Sequence, residues 1–246
     1  MEATCRKALE YGVPGIAFTD HADFVAIHEG QRELDVAGYL DCIERCRSLF
    51  GDLRILSGVE LGEPHLFPEK TAAVLAAGRL DRVLGSVHCI QVDGRPRDLS
   101  ERGLMTPEAA PGHFRAYLAE VLALAQSGQP FEVLAHLDYP RRYWPHDLLA
   151  LDETNFEEEY RAVLREAAQR ETVLEVNTTR GAEGPRGLCP GPKVIGWWRE
   201  LGGDRVSFGS DSHEPSRIAA GFATAAAMVE AAGFRPAADP TGHWRR

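Results

Sequence analysis

Cysteine is scarce in this chain and follows no metal-binding pattern. The 246 residues include five cysteines, and no two of them have CxxC spacing: Cys5, Cys42, Cys46, Cys89 and Cys189. An odd number without that spacing indicates neither a disulfide framework nor a thiolate zinc site. No apolar run approaches the roughly 20 residues of a membrane span, and the N-terminus lacks the charged and apolar regions of a signal peptide. We therefore expect a cytoplasmic protein without a membrane segment.

Basic residues are outnumbered by acidic ones. The chain has 27 Lys and Arg against 37 Asp and Glu, which gives a formal charge of −10. Proteins that follow a nucleic-acid backbone present a basic surface, so this balance argues against a polynucleotide partner. A small anionic substrate remains compatible with the sequence if bound metal ions supply positive charge locally.

Strand-like and helix-like segments alternate along the chain, as short runs rich in Val, Ile and Leu between amphipathic segments. We predict strands at 15–19, 54–61, 81–88, 131–136, 171–178 and 204–210, and helices at 2–11, 36–50, 70–78, 108–127, 153–170, 192–202 and 215–232. About seven strand–helix units in one domain favour a TIM-like α/β barrel. A doubly wound open sheet is the alternative, although no GxGxxG fingerprint supports it. The domain is expected over 1–235, with a loose tail over 236–246.

Polar residues follow five of the predicted strands at the point where each strand ends. Taken singly, a histidine at a strand end is usually a hydrogen-bonded rim residue, and Asp20 has an ordinary reading as a turn cap. A carboxylate such as Glu60 at the end of an apolar strand needs a partner for its charge. In a barrel all of these ends meet at one mouth, which would gather His21, Glu60, His88, His136, Asp211 and His213.

Imidazoles and carboxylates without thiolates suit zinc, iron or manganese at a hydrolytic site. Several such side chains at one mouth favour a cluster of divalent ions, in which one carboxylate bridges two of them. The ions would also offset the acidic protein around an anionic substrate. The sequence therefore predicts two or three divalent ions and a small phosphorylated substrate.

The order of these motifs resembles that of the PHP family, named for polymerase and histidinol phosphatase. The matching stretches are TDH at 19–21, GVE at 58–60, GSVH at 85–88, AHLD at 135–138 and GSDSH at 209–213. Within the family the chain is most similar to histidinol-phosphatases, through GSVH followed by a long loop, HLDYPRRY at 136–143, EVNTTRG at 175–181 and the GSDSH ending. The resemblance covers nearly the whole chain. It implies a distorted seven-stranded (β/α) barrel and a phosphatase that hydrolyses L-histidinol phosphate or a similar small ester.

The resemblance also implies roles for individual residues. Glu60 would bridge two ions, with His88 and His136 completing the second ion's protein ligands. Asp211 would belong to the first ion, and His21 and His213 to the third.

Three further residues are implied near the reaction centre. Asp20 is expected to be catalytic by orienting a ligand. Arg141 or Arg142 is a candidate for holding the substrate phosphate, because a guanidinium fork matches its oxygens, while surface solvation is the alternative reading. Arg141 is also expected to be catalytic. The loop histidines His28 and His65, like His146, are expected to be solvated.

One family feature is missing from the sequence. The family begins with an HxH motif on its first strand, and no HxH occurs in this chain. The resemblance therefore implies that the first barrel strand and up to three ligands are absent. We expect an incomplete version of a longer protein, and loss of part of the metal cluster is the alternative.

Two other functions compete with the phosphomonoesterase hypothesis. A phosphodiesterase or exonuclease has similar motifs, although the acidic balance argues against a polynucleotide substrate. A metal-poor, noncatalytic relative is the other alternative, supported by the missing HxH.

Overall fold

The computed structural model describes residues 1–25, 33–181 and 183–246. Within these ranges the α-helices are α1 (Glu2–Glu10), α2 (Val36–Leu49), α3 (Pro68–Ala76), α4 (Ala110–Gln126), α5 (Glu157–Gln169), α6 (Pro192–Glu200) and α7 (Phe222–Ala231). The strands are β1 (Gly15–Asp23), β2 (Arg54–Gly62), β3 (Arg82–Ser86), β4 (Cys89–Val92), β5 (Arg95–Asp98), β6 (Val133–Leu134), β7 (Val173–Asn177), β8 (Arg205–Gly209) and β9 (Trp244–Arg245).

Seven of the strands form one sheet in the order β1-β2-β3-β6-β7-β8-β9. Its neighbours pair in parallel except for β9, which runs antiparallel to β8. The strands β4 and β5 form a separate antiparallel hairpin. Because the six parallel strands point the same way, the residues that follow them gather at one edge of the sheet.

Local sequence explains where several helices begin. The carboxylate of Asp35 accepts a hydrogen bond from the backbone N–H of Gly38 at 3.1 Å and so caps α2. Helix α5 has three glutamates in its first turn, where the helix dipole favours negative charge. Helices α4, α5 and α6 cover the middle of the sheet, and their buried side chains, such as Phe114, Tyr160 and Trp198, form the largest core cluster.

The sheet is curled, since residues of β1 and β8 line opposite sides of a single cavity of about 840 Å³. The predicted distorted α/β barrel is thereby confirmed in its curled, mostly parallel sheet, and the doubly wound alternative is not observed. In the described part of the chain, the edge strands of the sheet are β1 and β9, and no strand joins these two edges. The cavity occupies that side of the sheet.

Three local predictions differ from the structure. The segment after GSVH, expected to be a long loop, contains the β4–β5 hairpin. The helix predicted at 215–232 begins only at Phe222, because Ala219 and Gly221 adopt positive φ angles of 54° and 78° that interrupt a right-handed helix.

The third difference concerns residues 236–246, which were expected to be a loose tail. Val206 of β8 pairs with Trp244, and a second bridge joins Arg235 to Arg245. The end of the chain is therefore ordered against the sheet. None of the helices in the described ranges combines the length and apolar character needed to cross a membrane.

Candidate metal centre

The carboxyl edge of the sheet brings together the side chains predicted from the sequence. His21 is the register partner of Glu60 in the β1–β2 pair, so both side chains leave the same face of the sheet. His88 follows β3, His136 follows β6, and Asp211 follows β8. The imidazole ring of His88 lies between those of His21 and His136, with ring centroids 5.8 Å from His21 and 5.1 Å from His136.

Glu60 lies at the centre of this cluster and is 5% exposed. Its Oε1 is 2.8 Å from Nε2 of His136 and 3.2 Å from Nε2 of His88. Burial would raise the pKa of Glu60, but the contacts with His136 and His88 outweigh burial and hold that pKa well below its usual range. Glu60 is therefore a buried anion that is balanced by imidazoles.

The pKa values of the three imidazoles differ according to burial and to the carboxylates beside them. Burial favours neutral His88, but the contact with Glu60 outweighs it and raises the pKa of His88 to about 9. Burial lowers the pKa of His136. The carboxylate of Asp23, followed by the charge of Glu60, raises the pKa of His21 to about 10. Without a bound cation, protons on His21 and His88 offset the negative charge of the site.

A second group of side chains lies beside the first. His21, Asp211 and His213 place one potential ligand atom each within 4.8 Å of one another, and so do His21, Glu60 and His88. The rings of His21 and His213 are 5.6 Å apart. His21 thus belongs to both groups, and the structure brings all six predicted ligands into one region.

Two buried carboxylates hold the backbone beneath two of the histidines. Oε1 of Glu63 accepts hydrogen bonds from the backbone N–H groups of His88 and Cys89. Oε2 of Glu175 accepts one from the backbone N–H of His136 at 2.8 Å. Glu63 and His136 also have positive φ angles, of 49° and 23°. Left-handed backbone at such residues is strained and concentrates at functional sites.

The two candidate arginines differ in their surroundings. Arg141 donates to Glu153 at 2.6 Å and to the carbonyl of Pro185 at 3.0 Å, so the prediction that it acts at the site is not supported by its contacts. Nη2 of Arg142 is 2.8 Å from Oδ2 of Asp211, and its side chain is 6% exposed. Among the described residues, Nε of Arg142 has no hydrogen-bond partner. Arg142 remains the candidate for binding an anion.

Asp20 lies on the cavity wall next to His21 and is exposed. Its carboxylate accepts no hydrogen bond from another described side chain, so its predicted role in orienting a ligand stays a prediction. The loop histidines lie elsewhere: His65 pairs with Glu120 at 3.2 Å, and His146 contacts the carbonyl of Arg141 at 3.0 Å. His28 lies outside the described residues.

Besides Glu63, three site residues were missed by sequence reasoning. Asp23 lies 3.4 Å from Nδ1 of His21. Glu175 and Asn177 project from β7, where Nδ2 of Asn177 donates to Glu175 and Asp211 at 3.3 Å each. The signal for Glu175 and Asn177 was present, because a charged and an amide residue alternate with valine in the otherwise apolar run VLEVN.

The donor set fits divalent cations. Imidazole nitrogens and carboxylate oxygens are the ligands that zinc, manganese and iron accept. Oδ1 of Asp23 and Nδ1 of His136 are buried without a hydrogen-bond partner in the described ranges, which is costly unless another group binds there. Several acidic groups also converge without an equal number of fixed cations. Residues around Glu60 would hold one ion, and His21, Asp211 and His213 another.

Comparisons with known proteins agree with this geometry. A protein of Clostridium acetobutylicum named "Probable histidinol-phosphatase" is 29% identical over 224 residues, which cover 90% of this chain and 84% of that protein. The "Histidinol-phosphatase" of Lactococcus lactis is 28% identical over 237 residues, covering 96% and 86% of the two chains.

A crystal structure of histidinol phosphate phosphatase from Lactococcus lactis, complexed with zinc, L-histidinol and phosphate, has the same fold. It superposes with a TM-score of 0.81 at 24% identity and covers 95% of this chain and 87% of that one. The family model described as PHP domain matches residues 1–179, which include four of the five motifs. The chain belongs to the PHP domain family.

Proposed function

We propose that this chain is a metal-dependent phosphomonoester hydrolase that releases phosphate from L-histidinol phosphate. The observation that carries the proposal is the convergence of six imidazole and carboxylate side chains, with Glu60 buried among them. The names of the two curated relatives and the ligands of the Lactococcus lactis crystal structure support the choice of substrate. Zinc in that crystal structure supports a divalent cofactor, and the number of ions, two or three, stays a prediction.

Divalent ions bound at this site would stabilise the charge of a phosphoryl transition state and make water a stronger nucleophile near neutral pH. The side chains of the protein place a carboxylate, imidazoles and a guanidinium around the position of the substrate phosphate. Glu60, His88 and His136 form a buried group at the bottom of the site, in which the imidazoles balance the charge of the carboxylate. Asp211 holds the guanidinium of Arg142 at its edge. Because neither Nε nor Nη2 of that guanidinium has a hydrogen-bond partner among the described residues, it is suited to bind two oxygens of a phosphate group.

The shape of the site suits a small ester. Four of the six predicted ligands line a cavity of about 840 Å³, which is a typical size for a small-molecule site: His21, Glu60, Asp211 and His213. The chain's formal charge of −10 disfavours a polynucleotide substrate. The cytoplasmic location expected from the sequence stays a prediction.

The test measures metal content and phosphate release on the same sample. Purified protein is loaded with zinc or manganese and assayed with L-histidinol phosphate, other small phosphomonoesters, a phosphodiester and labelled single-stranded DNA. We expect phosphate release from L-histidinol phosphate that a chelator abolishes and that added metal restores. Bound metal without release from any monoester would refute the proposal. Cleavage of the DNA without monoesterase activity would favour an exonuclease, and protein that stays free of metal would favour a noncatalytic relative.

A further inference from the structure

One buried tyrosine contacts three members of the candidate site. The ring of Tyr139, which is 6% exposed, lies edge-on to the ring of His88, with centroids 5.2 Å apart. It is tilted against the ring of His136, with centroids 5.1 Å apart. The guanidinium carbon of Arg142 lies over the same ring, 5.0 Å from its centroid. A single ring therefore packs against two predicted metal ligands and the candidate for binding phosphate.

The spacing of the sequence produces these contacts. Tyr139–Arg142 is a 3₁₀ turn, and side chains three residues apart in such a turn eclipse each other. Arg142 consequently stands over Tyr139, whereas Arg141 leaves the turn in another direction. The backbone N–H of Tyr139 donates to the carbonyl of His136 at 2.8 Å, so the turn begins directly after that predicted ligand.

The hydroxyl end of Tyr139 is held from another side of the site. The hydroxyl donates to Oδ1 of Asp98 at 3.2 Å, and the same oxygen accepts a hydrogen bond from the backbone N–H of Ser100 at 2.6 Å. Asp98 ends β5, and its register partner is Cys89, the residue after His88. The β4–β5 hairpin thus begins beside a predicted ligand and returns to hold the ring that packs against it.

The contacts made by this ring affect binding as well as packing. A cation above an aromatic face is attracted to it, and the attraction is stronger where water is excluded, as it is around buried Arg142. Binding groups must be held within roughly 0.5 Å of their productive positions by the side chains packed around them. The ring of Tyr139 restricts both histidines and the arginine at once.

We propose that Tyr139 is a positioning residue, which holds His88, His136 and Arg142 in the arrangement that binds a divalent ion and a phosphate group together. The inference rests on the proposed function, because that function gives the three side chains their roles. Tyr139 acts through them, since its own hydroxyl donates to Asp98. The alternative is that Tyr139 is a core side chain whose loss only lowers stability.

The matched control is another buried ring that lies beneath a guanidinium. Phe156 is 2% exposed, and the guanidinium carbon of Arg115 lies 4.7 Å from its centroid. Its ring packs against Phe114 and Trp144, and neither of these is a predicted ligand. Phe156→Leu and Tyr139→Leu therefore remove comparable packing and a comparable cation contact, at a distance from the site and within it.

Cobalt(II) and inorganic phosphate are the probes. Metal-free wild type, Tyr139→Leu, Tyr139→Phe and Phe156→Leu are titrated with cobalt(II), with visible absorption as the readout. Inorganic phosphate is then titrated into the cobalt-loaded proteins by calorimetry. Circular dichroism and denaturant unfolding verify that each variant folds. Tyr139→Met, which fills more of the space, takes the place of Tyr139→Leu if that variant does not fold.

We expect Tyr139→Leu to bind cobalt(II) about 10 to 100-fold more weakly, with a changed absorption spectrum. Phosphate should bind about 2 to 30-fold more weakly, which is the range that a cation–π contact supplies. Tyr139→Phe keeps the ring and should keep the phosphate affinity of wild type. Phe156→Leu should unfold at a lower denaturant concentration but match wild type in both titrations.

A double-mutant cycle tests whether Tyr139 acts through Arg142. Tyr139→Leu combined with Arg142→Lys should weaken phosphate binding by less than the product of the two single effects, because residues in contact are not independent. Two effects that multiply would overturn the inference. Cobalt(II) and phosphate titrations of Tyr139→Leu that match those of Phe156→Leu would also overturn it, because Tyr139 would then contribute to stability alone.

Failure of this inference is distinguishable from failure of the proposed function. If cobalt(II) and phosphate affinity depend on Tyr139 but no phosphomonoester is hydrolysed, the positioning role stands and the proposed activity fails. If the protein is a phosphatase and Tyr139→Leu binds both probes as Phe156→Leu does, only the positioning role fails. Protein that binds neither probe refutes both.

Discussion

Glu175 and His136 are joined by a hydrogen bond in which the backbone N–H of His136 donates to Oε2 of the carboxylate at 2.8 Å. Glu175 is 4% exposed, and burial raises its pKa to about 7. Its other oxygen lies over Gly209, where a Cβ would approach to 1.9 Å. The carboxylate is therefore enclosed by three neighbouring strands and fixes the point at which the chain turns from β6 toward the histidine.

Replacing Glu175 should disturb His136 without removing a predicted ligand. We expect Glu175→Ala to lower the free energy of unfolding by about 1 to 3 kcal/mol, because it leaves the buried N–H of His136 unpaired. Metal affinity should fall by about 10 to 100-fold. Glu175→Gln keeps an acceptor oxygen and should lose less of both. Denaturant unfolding and metal titration check this, with exposed Glu158→Ala as control; equal behaviour of Glu175→Ala and the control would contradict it.

Glu60 should be the most sensitive of the predicted ligands. Glu60→Gln nearly preserves shape but removes the charge that faces His136 and His88. Loss of Glu60, the predicted bridging ligand, should reduce the phosphatase rate by more than the roughly 10 to 100-fold typical of residues that orient ligands. Asp20→Asn should be milder, because the carboxylate of Asp20 is exposed. Metal analysis and turnover of both variants test the ranking. Full metal content with near-normal turnover in Glu60→Gln would contradict the assignment of a metal cluster.

We expect Arg142 to bind the substrate phosphate and the adjacent Arg141 to stabilise the fold. We expect Arg142→Lys to raise KM for the phosphomonoester and to weaken inhibition by inorganic phosphate by about tenfold, because lysine keeps the charge but loses the planar fork. Arg141→Ala should instead lower the free energy of unfolding by about 1 to 3 kcal/mol, since it leaves buried Asp138 without its cation and Glu153 with only the longer contact to Lys193. Steady-state kinetics and denaturant unfolding distinguish them. A larger KM change in Arg141→Ala than in Arg142→Lys would reverse the assignment.

Much of the fold was predictable because its signals are local. Alternating apolar runs and amphipathic segments located the six parallel strands, and the polar residue after each run located Glu60, His88 and His136. The hairpin β4–β5 was missed because its second strand, RPRD, contains a proline and no apolar run. β9 was missed because two residues carry no periodicity, and its position depends on contacts with distant parts of the chain.

The site was predictable in its ligands but not in its supporting groups. A strand-end histidine is visible in the sequence, whereas the choice between Arg141 and Arg142 depends on where a 3₁₀ turn directs each side chain. Asp23 followed TDH without any motif, and only the register with Gly62 gives its carboxylate a place beside His21. Such relationships arise from pairing between strands, which a single sequence does not display.

Metal affinity should rise with pH. Asp23 and the charge of Glu60 raise the pKa of His21 to about 10, so this imidazole is protonated near neutral pH when no ion is bound. A ligand must lose that proton, and affinity should therefore increase by about tenfold per pH unit for each proton released, from neutral pH toward 10. In the metal-free protein, the stability of the fold depends on pH in the opposite direction. The raised pKa of His21 stabilises the folded state below about pH 6.5, and this stabilisation is lost as the pH rises through the pKa of the folded protein, about 10.

Calorimetric titration with zinc in two buffers of different ionisation enthalpy counts the protons released. We expect about one proton per ion near pH 7 where His21 is a ligand, and fewer in Asp23→Asn, which lacks the first cause of the raised pKa. Equal affinity at pH 6 and pH 8, with no proton released, would rule out His21 as a ligand.

The C-terminal residues should stabilise the fold without affecting the site. Trp244 pairs with Val206 and packs edge-on against Phe208, with ring centroids 5.1 Å apart. The same segment reaches the starts of other strands: His243 lies 2.7 Å from Glu132, and Arg82 donates to the carbonyl of Thr241 at 2.6 Å. The segment thus connects β8 to the opposite side of the curled sheet.

We expect Trp244→Ala to lower the free energy of unfolding by about 2 kcal/mol, because a half-buried aromatic side chain and its ring contact are lost. None of these contacts involves a predicted ligand, so metal content and KM should stay unchanged. Leu148→Ala is the matched control, since Leu148 is 76% exposed and its loss should change stability by less than about 0.5 kcal/mol. Denaturant unfolding of metal-free protein measures both variants. Unfolding of Trp244→Ala at the same denaturant concentration as Leu148→Ala would show that the segment adds nothing to the stability of the sheet.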